Sequence, residues 1–323
     1  MNKPGIRIQF PGLLTTIQDD GRIGYQEFGI SASGAMDLRA MRLANILVRN
    51  NKDEAVLEMT LMGAVMTFTG SNTIAITGAD QGAIIDGIKV PLYTAVAVHA
   101  GDTLIFGSAA TGCRTYLAFA GGLVVSEILG SKSTNLKCGI GGLQGRQLKE
   151  GDELEFVTPV DEAPDPKRNL RDTPLSRYPD SNSQRILRII PGPQAEYVTE
   201  KGMDTFLSSV YTVTPRSDRM GCNFDGPVIE TRDKTDIISD GIPFGAVQIP
   251  SGGKPIVMMA DRQTTGGYAK IGTVISVDLP ILAQCKPGDT VRFRQISMNK
   301  AQRLHRKEQK QYAAIERKFT PLK

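Results

Sequence analysis

Histidine, tryptophan and paired cysteine are what this chain has least of. Its 323 residues include two histidines (His99 and His305), no tryptophan and four separated cysteines: Cys113, Cys138, Cys222 and Cys285. A zinc site needs three or four Cys or His ligands close together, and with no CxxC pair the chain supplies none locally. Most soft-ligand metal centres are excluded, and no metal is expected. Isolated cysteines in a chain of this size imply reduced thiols and no disulfide framework. A Ser-His-Asp triad would depend on His99, which stands in AVAVHAGD and reads as a structural histidine. Long apolar runs are missing too. Ile256–Ala260 is among the longest, far short of the roughly 20 residues that cross a bilayer as a helix. Pro4 and Pro11 interrupt the N-terminus, which lacks the apolar core of a secretory leader. These absences predict a soluble, cytoplasmic protein with no membrane association.

What is present is ordinary globular composition, 40% hydrophobic and 22% charged, which excludes disorder, collagen and coiled coil. The length suggests two domains at about 150 residues each. The net charge of +4 invites a nucleic-acid reading, but the charge is local. Met298–Lys323 carries 8 of the 38 basic and 2 of the 34 acidic residues, leaving 30 against 32, a net of −2, for the rest. Nucleic acid therefore drops out. Tyr312, Ile315 and Phe319 fall at helical spacing in that tail, so a basic helix that packs one apolar stripe is expected over 298–323.

Strand signals dominate elsewhere. VLEMT (56–60), AVMTFT (64–69) and TIAITG (73–78) are β-branched or aromatic runs between turn residues, and Asp86-Gly87 reads as a hairpin turn. Met36–Val48 has helical periodicity, with Ser33 as the expected N-cap. Past residue 184 the strand runs are RILRII, VYTVT, GAVQIP, IVMMA and TVISVDL. The pattern Gly-Asp-x-(Leu/Val)-x-Phe recurs at Gly101, Gly151 and Gly288 as a turn feeding a strand. Pro159, Pro164, Pro166, Pro174 and Pro179 mark a linker. The expected organisation is a β-rich domain over 1–158, a linker over 159–184, a β-barrel domain over 185–297 and the helical tail. The fold class is mainly β with a few helices, barrels or sandwiches rather than a βαβ sheet.

Familiar catalytic motifs fail on inspection. GIGGLQGR (139–146) misplaces the third glycine of a dinucleotide fingerprint, and LGSKST (129–134) lacks the loop of a phosphate-binding Walker motif. Ser251 and Lys254 match SxxK, but Pro250, Gly252, Gly253 and Pro255 prescribe a turn where that pair needs a helix. Two polar, glycine-rich clusters remain: Thr15–Asp37 and Met259–Gly272. Loops of small residues let backbone N–H groups approach a ligand, and Arg and Gln grip carboxylates or amides.

At these clusters the sequence resembles the allophanate hydrolase subunit 2 family, also described as biotin-dependent carboxyltransferase-like. GLLTTIQDDGRIGYQEFGISASGAMD, ANILVRNNKDEAVLEMTLMG, YLAFAGG, ILGSKST, GRQLKEGDEL, PGPQ, SDRMG, GAVQIPSGGKPIVMMADRQTTGGY and LAQCKPGDTVRF carry the resemblance in order, from about Gly5 to Phe293. The family includes half of the urea carboxylase carboxyltransferase domain and the stand-alone C subunit of bacterial 5-oxoprolinase, the KipI antagonist KipA. The resemblance implies cyclophilin-like β-barrel architecture. It also implies an enzyme active only as a complex with two other 5-oxoprolinase chains, the KipI-like B subunit and the A subunit. That complex opens a small-molecule lactam, 5-oxo-L-proline, to L-glutamate with ATP. Catalytic roles would then fall to Asp261, Arg262, Gln263, Thr264 and Thr265, and substrate binding to Gln18, Asp19, Arg22, Ser33, Asp37, Arg219 and Tyr268. Two alternatives stay open: a carboxyltransferase component that acts on urea or a similar amide with biotin from another chain, and a non-enzymatic regulator antagonising a kinase inhibitor. Three positions depart from the family pattern. Lys132 stands where arginine is usual, Ala269 where proline is usual, and Cys222-Asn223 where an arginine is common nearby.

Overall fold

The computed structural model describes residues 3–160, 165, 168–179, 184–232 and 236–319. The chain forms two compact units: Met1–Arg22, Ser33–Arg177 and Gln311–Lys323 make the first, Ile23–Ala32 and Tyr178–Lys310 the second. Both are mainly β, as the strand periodicity predicts.

The first unit holds β1 (Gly5–Phe10), β2 (Leu14–Gln18), α1 (Leu38–Leu47), β3 (Val56–Thr60), β4 (Val65–Phe68) and β5 (Asn72–Asp80). It continues with β6 (Ile84–Ile85), β7 (Ile88–Lys89), β8 (Ala95–Val98), β9 (Thr103–Ile105), β10 (Thr111–Phe119) and β11 (Glu153–Glu155). They form two sheets, ordered β11-β1-β4-β9-β6-β7 and β2-β3-β10-β5-β8. Alternation in each strand sends one set of side chains inward. Ile6, Ile8, Met66, Phe68 and Leu104 from one sheet share a core with Ile17, Leu57, Met59, Ile74, Ile76, Leu117 and Phe119 from the other. Helix α1 packs on β5 and β10, which explains why those strands are buried almost throughout.

The second unit holds β12 (Arg185–Pro191), α2 (Glu200–Ser208), β13 (Tyr211–Val213), β14 (Gly221–Asp225) and β15 (Asp236–Gly241). After these come β16 (Ala246–Ile249), β17 (Ile256–Met258), β18 (Thr265–Val274), α3 (Leu279–Ala283), β19 (Thr290–Gln295) and the start of α4 (Met298–Phe319). The strands run β12-β19-β13-β14-β17-β16-β18-β15, and β12 also pairs with β18. That extra pairing closes seven strands into a barrel and removes their edges. Among the described residues, strand β15 is left outside the closure and pairs with β18 alone.

The three Gly-Asp repeats are one structural device. Gly101, Gly151 and Gly288 adopt φ of 97°, 84° and 93°. Asp102, Asp152 and Asp289 each accept the backbone N–H three residues earlier, from His99, Lys149 and Lys286, at 2.8, 2.8 and 2.9 Å. Each turn launches a strand, β9, β11 or β19. The hairpin expected at Asp86-Gly87 forms with both residues left-handed, at φ 48° and 84°.

Several expectations need correction. Ser33 does not cap α1. Asp37 does, its Oδ1 accepting the Ala40 N–H at 2.9 Å, while Ser33 takes a left-handed φ of 55°. His99 is exposed rather than held among apolar neighbours. Residues 265–272, read as the end of a polar loop, belong to the long strand β18 (Thr265–Val274); the expected strand TVISVDL stops at Val274, because Asp278 and Pro280 open α3. Within the expected linker, residues 161–164, 166–167 and 180–183 lie outside the described residues. Its described middle is anchored to the first unit instead of spanning freely. Leu170 and Leu175 are buried, Asn169 bridges Thr94, and Arg168 Nη1 donates to Leu47 O at 3.1 Å. Proline-rich composition hid two leucines with a core to enter. The segment Ile23–Ala32, expected in the first domain, belongs to the second unit. Helix α4 buries Tyr312, Ile315 and Phe319 as their spacing predicts.

Candidate functional site

In the first unit, Gln18 and Asp19 end β2 against the loop Ile128–Thr134. Asp19 Oδ1 accepts from Gly21 N and Ser131 Oγ at 2.8 and 2.7 Å and from Ser133 Oγ, and its Oδ2 accepts Lys132 N at 2.6 Å. Arg22 is fully buried and donates to the carbonyls of Ile128 and Ser133 at 2.8 and 2.9 Å. These two residues hold a loop in place, with Asp19's oxygens already taken. The glycine-rich stretch after that loop packs on the same residues. A Cβ on Gly141 would lie 2.0 Å from Ser133 O, and one on Gly142 1.9 Å from Thr134 Oγ1. Gly141 and Gly142 are thus needed for close packing and form no phosphate cradle. Lys132 reaches one carboxylate oxygen, Glu54 Oε1, at 2.6 Å, a point contact in which lysine can replace the usual arginine.

Asp37 belongs to a second buried group. Its N–H donates to Tyr116 Oη at 2.8 Å, and the Tyr116 hydroxyl donates to Glu58 Oε2 at 2.7 Å. Burial, then the charges of Glu58 and Asp37, push the Tyr116 hydroxyl well above its ordinary pKa, so it stays a donor. Unmatched atoms are few here. Gln18 Oε1, Ser33 Oγ and Thr134 Oγ1 are buried with no hydrogen-bond partner among the described residues.

In the second unit, Arg219 grips Asp261 through two bonds, Nε to Oδ2 at 2.8 Å and Nη2 to Oδ1 at 3.0 Å. Both are buried, so each satisfies the other and Asp261 is poorly placed as a proton acceptor. Arg262 donates from Nε to Ile242 O at 2.9 Å and from Nη1 to Met259 O at 3.3 Å, with its guanidinium over Phe244. Burial lowers its pKa to about 10, leaving it charged at neutral pH. Its own carbonyl accepts the Ser31 hydroxyl at 2.7 Å. Gln263 and Thr265 are exposed and Thr264 is half-buried. Tyr268 is 41% exposed on β18. The cluster is real, but its two arginines are committed to internal partners.

The residues that sequence reasoning missed lie further along β18. Lys270 is paired in register with Gln248 of β16. The Lys270 side chain is only 3% exposed, with Nζ 2.8 Å from Asp240 Oδ2 on β15. Neither Lys270 Nζ nor Gln248 Nε2 makes a hydrogen bond of regular geometry among the described residues, although both are buried. Gln194, from the PGPQ block, accepts the Lys270 backbone N–H at 3.1 Å. Asp240's carboxyl is held below its usual range, first by Lys270 and then by the Gly241 N–H. A signal was available at Gln248, a long polar side chain inside the otherwise apolar strand run GAVQIP, whereas the glycines at 266 and 267 masked Lys270. Such a position costs stability unless a partner is supplied. A buried ammonium beside an unfilled amide donor can bind and polarise a carboxylate or carbonyl oxygen. No group of three or more His, Cys, Asp or Glu suited to a metal occurs among the described residues.

Comparison with known proteins agrees with this architecture. Residues 28–295 match the family "Carboxyltransferase domain, subdomain A and B". The chain is 37% identical over 292 residues to the C subunit of 5-oxoprolinase from Haemophilus influenzae, covering 90% of this chain and 91% of that one. With the Escherichia coli protein of the same name it shares 35% over 310 residues, or 96% and 97% of the two chains. Kluyveromyces lactis urea carboxylase superposes with a TM-score of 0.90 at 29% identity, over 98% of this chain and 29% of the larger one. The chain belongs to the carboxyltransferase domain, subdomain A and B, family.

Proposed function

We propose that this chain is the C subunit of an ATP-dependent 5-oxoprolinase, a cytoplasmic hydrolase that opens 5-oxo-L-proline to L-glutamate together with its A and B subunits. One observation carries the reading. The likeness to proteins named as the C subunit of 5-oxoprolinase runs nearly end to end on both sides, whereas the urea carboxylase match occupies 29% of a much larger chain. The glycine-rich loop offers no phosphate cradle, since Ser133 and Thr134 pack against its Gly141 and Gly142. We therefore assign nucleotide binding to another chain of the complex. This chain's contribution is to hold the substrate, for which the buried Lys270, ion-paired to the exposed Asp240, and the unfilled amide of Gln248 supply donors.

The test is co-expression with the candidate A and B subunits, followed by an assay of glutamate formed from 5-oxo-L-proline with and without ATP. ATP-dependent turnover that requires this chain supports the reading; turnover by the other two chains alone overturns it. The carboxyltransferase reading is favoured by the family model itself and requires a biotin carrier on another chain. A clean streptavidin blot of co-purifying proteins would count against it.

A further inference from the structure

We infer that Lys270 and Gln248 form a binding site for a small carboxylate, and that Asp240 occupies it until a ligand carboxylate takes its place. An ammonium with 3% of its side chain exposed depends on an anion, because leaving it unpaired forfeits its solvation with nothing in return. The anion present is Asp240, whose own side chain is 54% exposed. A carboxylate so open to water loses little by leaving its partner. The pair is therefore asymmetric: Lys270 needs a carboxylate, and Asp240 does not need Lys270.

Geometry points the same way. Asp240 lies on β15, which among the described residues pairs with β18 alone and stands outside the closed barrel, whereas Lys270 and Gln248 are register partners within it. The 2.8 Å contact leaves Nζ without a hydrogen bond of regular geometry. Gln248 Nε2, on a residue 4% exposed, is likewise unfilled. Two buried donors on register partners are thus offered to a carboxylate. Gly266 packs directly against this amide: a Cβ would sit 3.3 Å from Gln248 Nε2 and 2.7 Å from Ile242 Cδ1. A side chain there would crowd the amide. Exchange of Asp240 for a ligand carboxylate conserves the charge around Lys270, so the ligand need only displace a partly hydrated internal group.

The identity of the ligand as 5-oxo-L-proline rests on the proposed function; the carboxylate site does not. Titration calorimetry of the assembled complex should show 5-oxo-L-proline binding at least about tenfold more tightly than 2-pyrrolidinone, which lacks the carboxylate, a difference typical of one charge-assisted bond. Lys270→Met should remove most of that preference. Asp240→Asn, an exposed change that poses little threat to folding, should tighten 5-oxo-L-proline severalfold by removing the internal competitor. A preference that survives in K270M, or a D240N variant that binds more weakly, overturns the site. If the wild-type complex binds neither compound, the substrate reading fails, and sodium acetate then tests the site alone on the full chain. Thermal stabilisation by acetate that grows in D240N and vanishes in K270M upholds it; stabilisation identical in all three overturns it. Unchanged KM for 5-oxo-L-proline in K270M would reject the site while leaving the enzyme assignment intact.

Discussion

The Asp19 cluster of the first unit and the Lys270 cluster of the second are both buried, polar and charged. Around Asp19, four N–H or O–H donors meet two carboxylate oxygens. Around Lys270, the ammonium meets one exposed carboxylate without regular hydrogen-bond geometry, and the neighbouring Gln248 amide N–H2 has no hydrogen-bond partner among the described residues. A matched cluster stabilises the fold and has no capacity left for a ligand. An unmatched one carries a cost that a ligand can relieve. Residue type does not separate the two; the matching of donors and acceptors does.

The largest effect should come from breaking the matched side. Asp19→Ala strands the N–H and O–H groups that converge on it, and about 3–5 kcal/mol of stability should disappear in denaturant unfolding. A loss under about 1 kcal/mol would show that the cluster is not structural. Arg219→Ala tests whether matching, and not membership of one unit, is what counts. It leaves Asp261 charged and buried, so about 3 kcal/mol should be lost, with partial recovery in an Arg219→Met, Asp261→Leu double variant. Lys270→Met should move the other way in the comparison. Asp240 is left in water and a methionine fills the lysine's place, so stability should change by about 1 kcal/mol or less while turnover in the reconstituted complex falls at least tenfold. Equal loss of both would erase the distinction between the two clusters.

The smallest effect concerns pH. Burial alone would raise the Asp152 carboxyl, but its bonds with Arg146 and the Lys149 N–H outweigh that and hold it below the ordinary value. A folded value below the unfolded one, about 3.9, means the pair stabilises above that pH and is lost as pH falls through the lower folded value. Asp152→Asn should therefore cost about 1 kcal/mol at pH 7, and the gap to wild type should close toward pH 3. A gap that widens in acid would reverse the assignment.

Where local chemistry decides, the sequence is readable. Gly101, Gly151 and Gly288 announce the same turn because glycine tolerates φ near 90° and the following aspartate reaches back to a backbone N–H. Helix α1 is legible from its period, but its cap is not. Ser33 and Asp37 both suit the role, and only the backbone path from Gly34 to Met36 selects Asp37. Of the site, Arg219, Asp261 and Arg262 stand out as polar residues, yet the mutual satisfaction of Arg219 and Asp261 depends on a loop and a strand end brought together from 42 residues apart. Lys270 reads as part of a polar loop, since the glycines at 266 and 267 suggest a turn where the chain is extended.

By itself, then, the sequence determined the strands, their turns, the basic terminal helix and the family, because each rests on side-chain period, backbone preference or ordered motif. Only the tertiary structure decided which polar residues are already satisfied and which are available. Burial and hydrogen-bond matching are properties of neighbours, and the neighbours of Lys270, namely Gln248, Gln194 and Asp240, come from separate strands and loops that only the folded barrel unites.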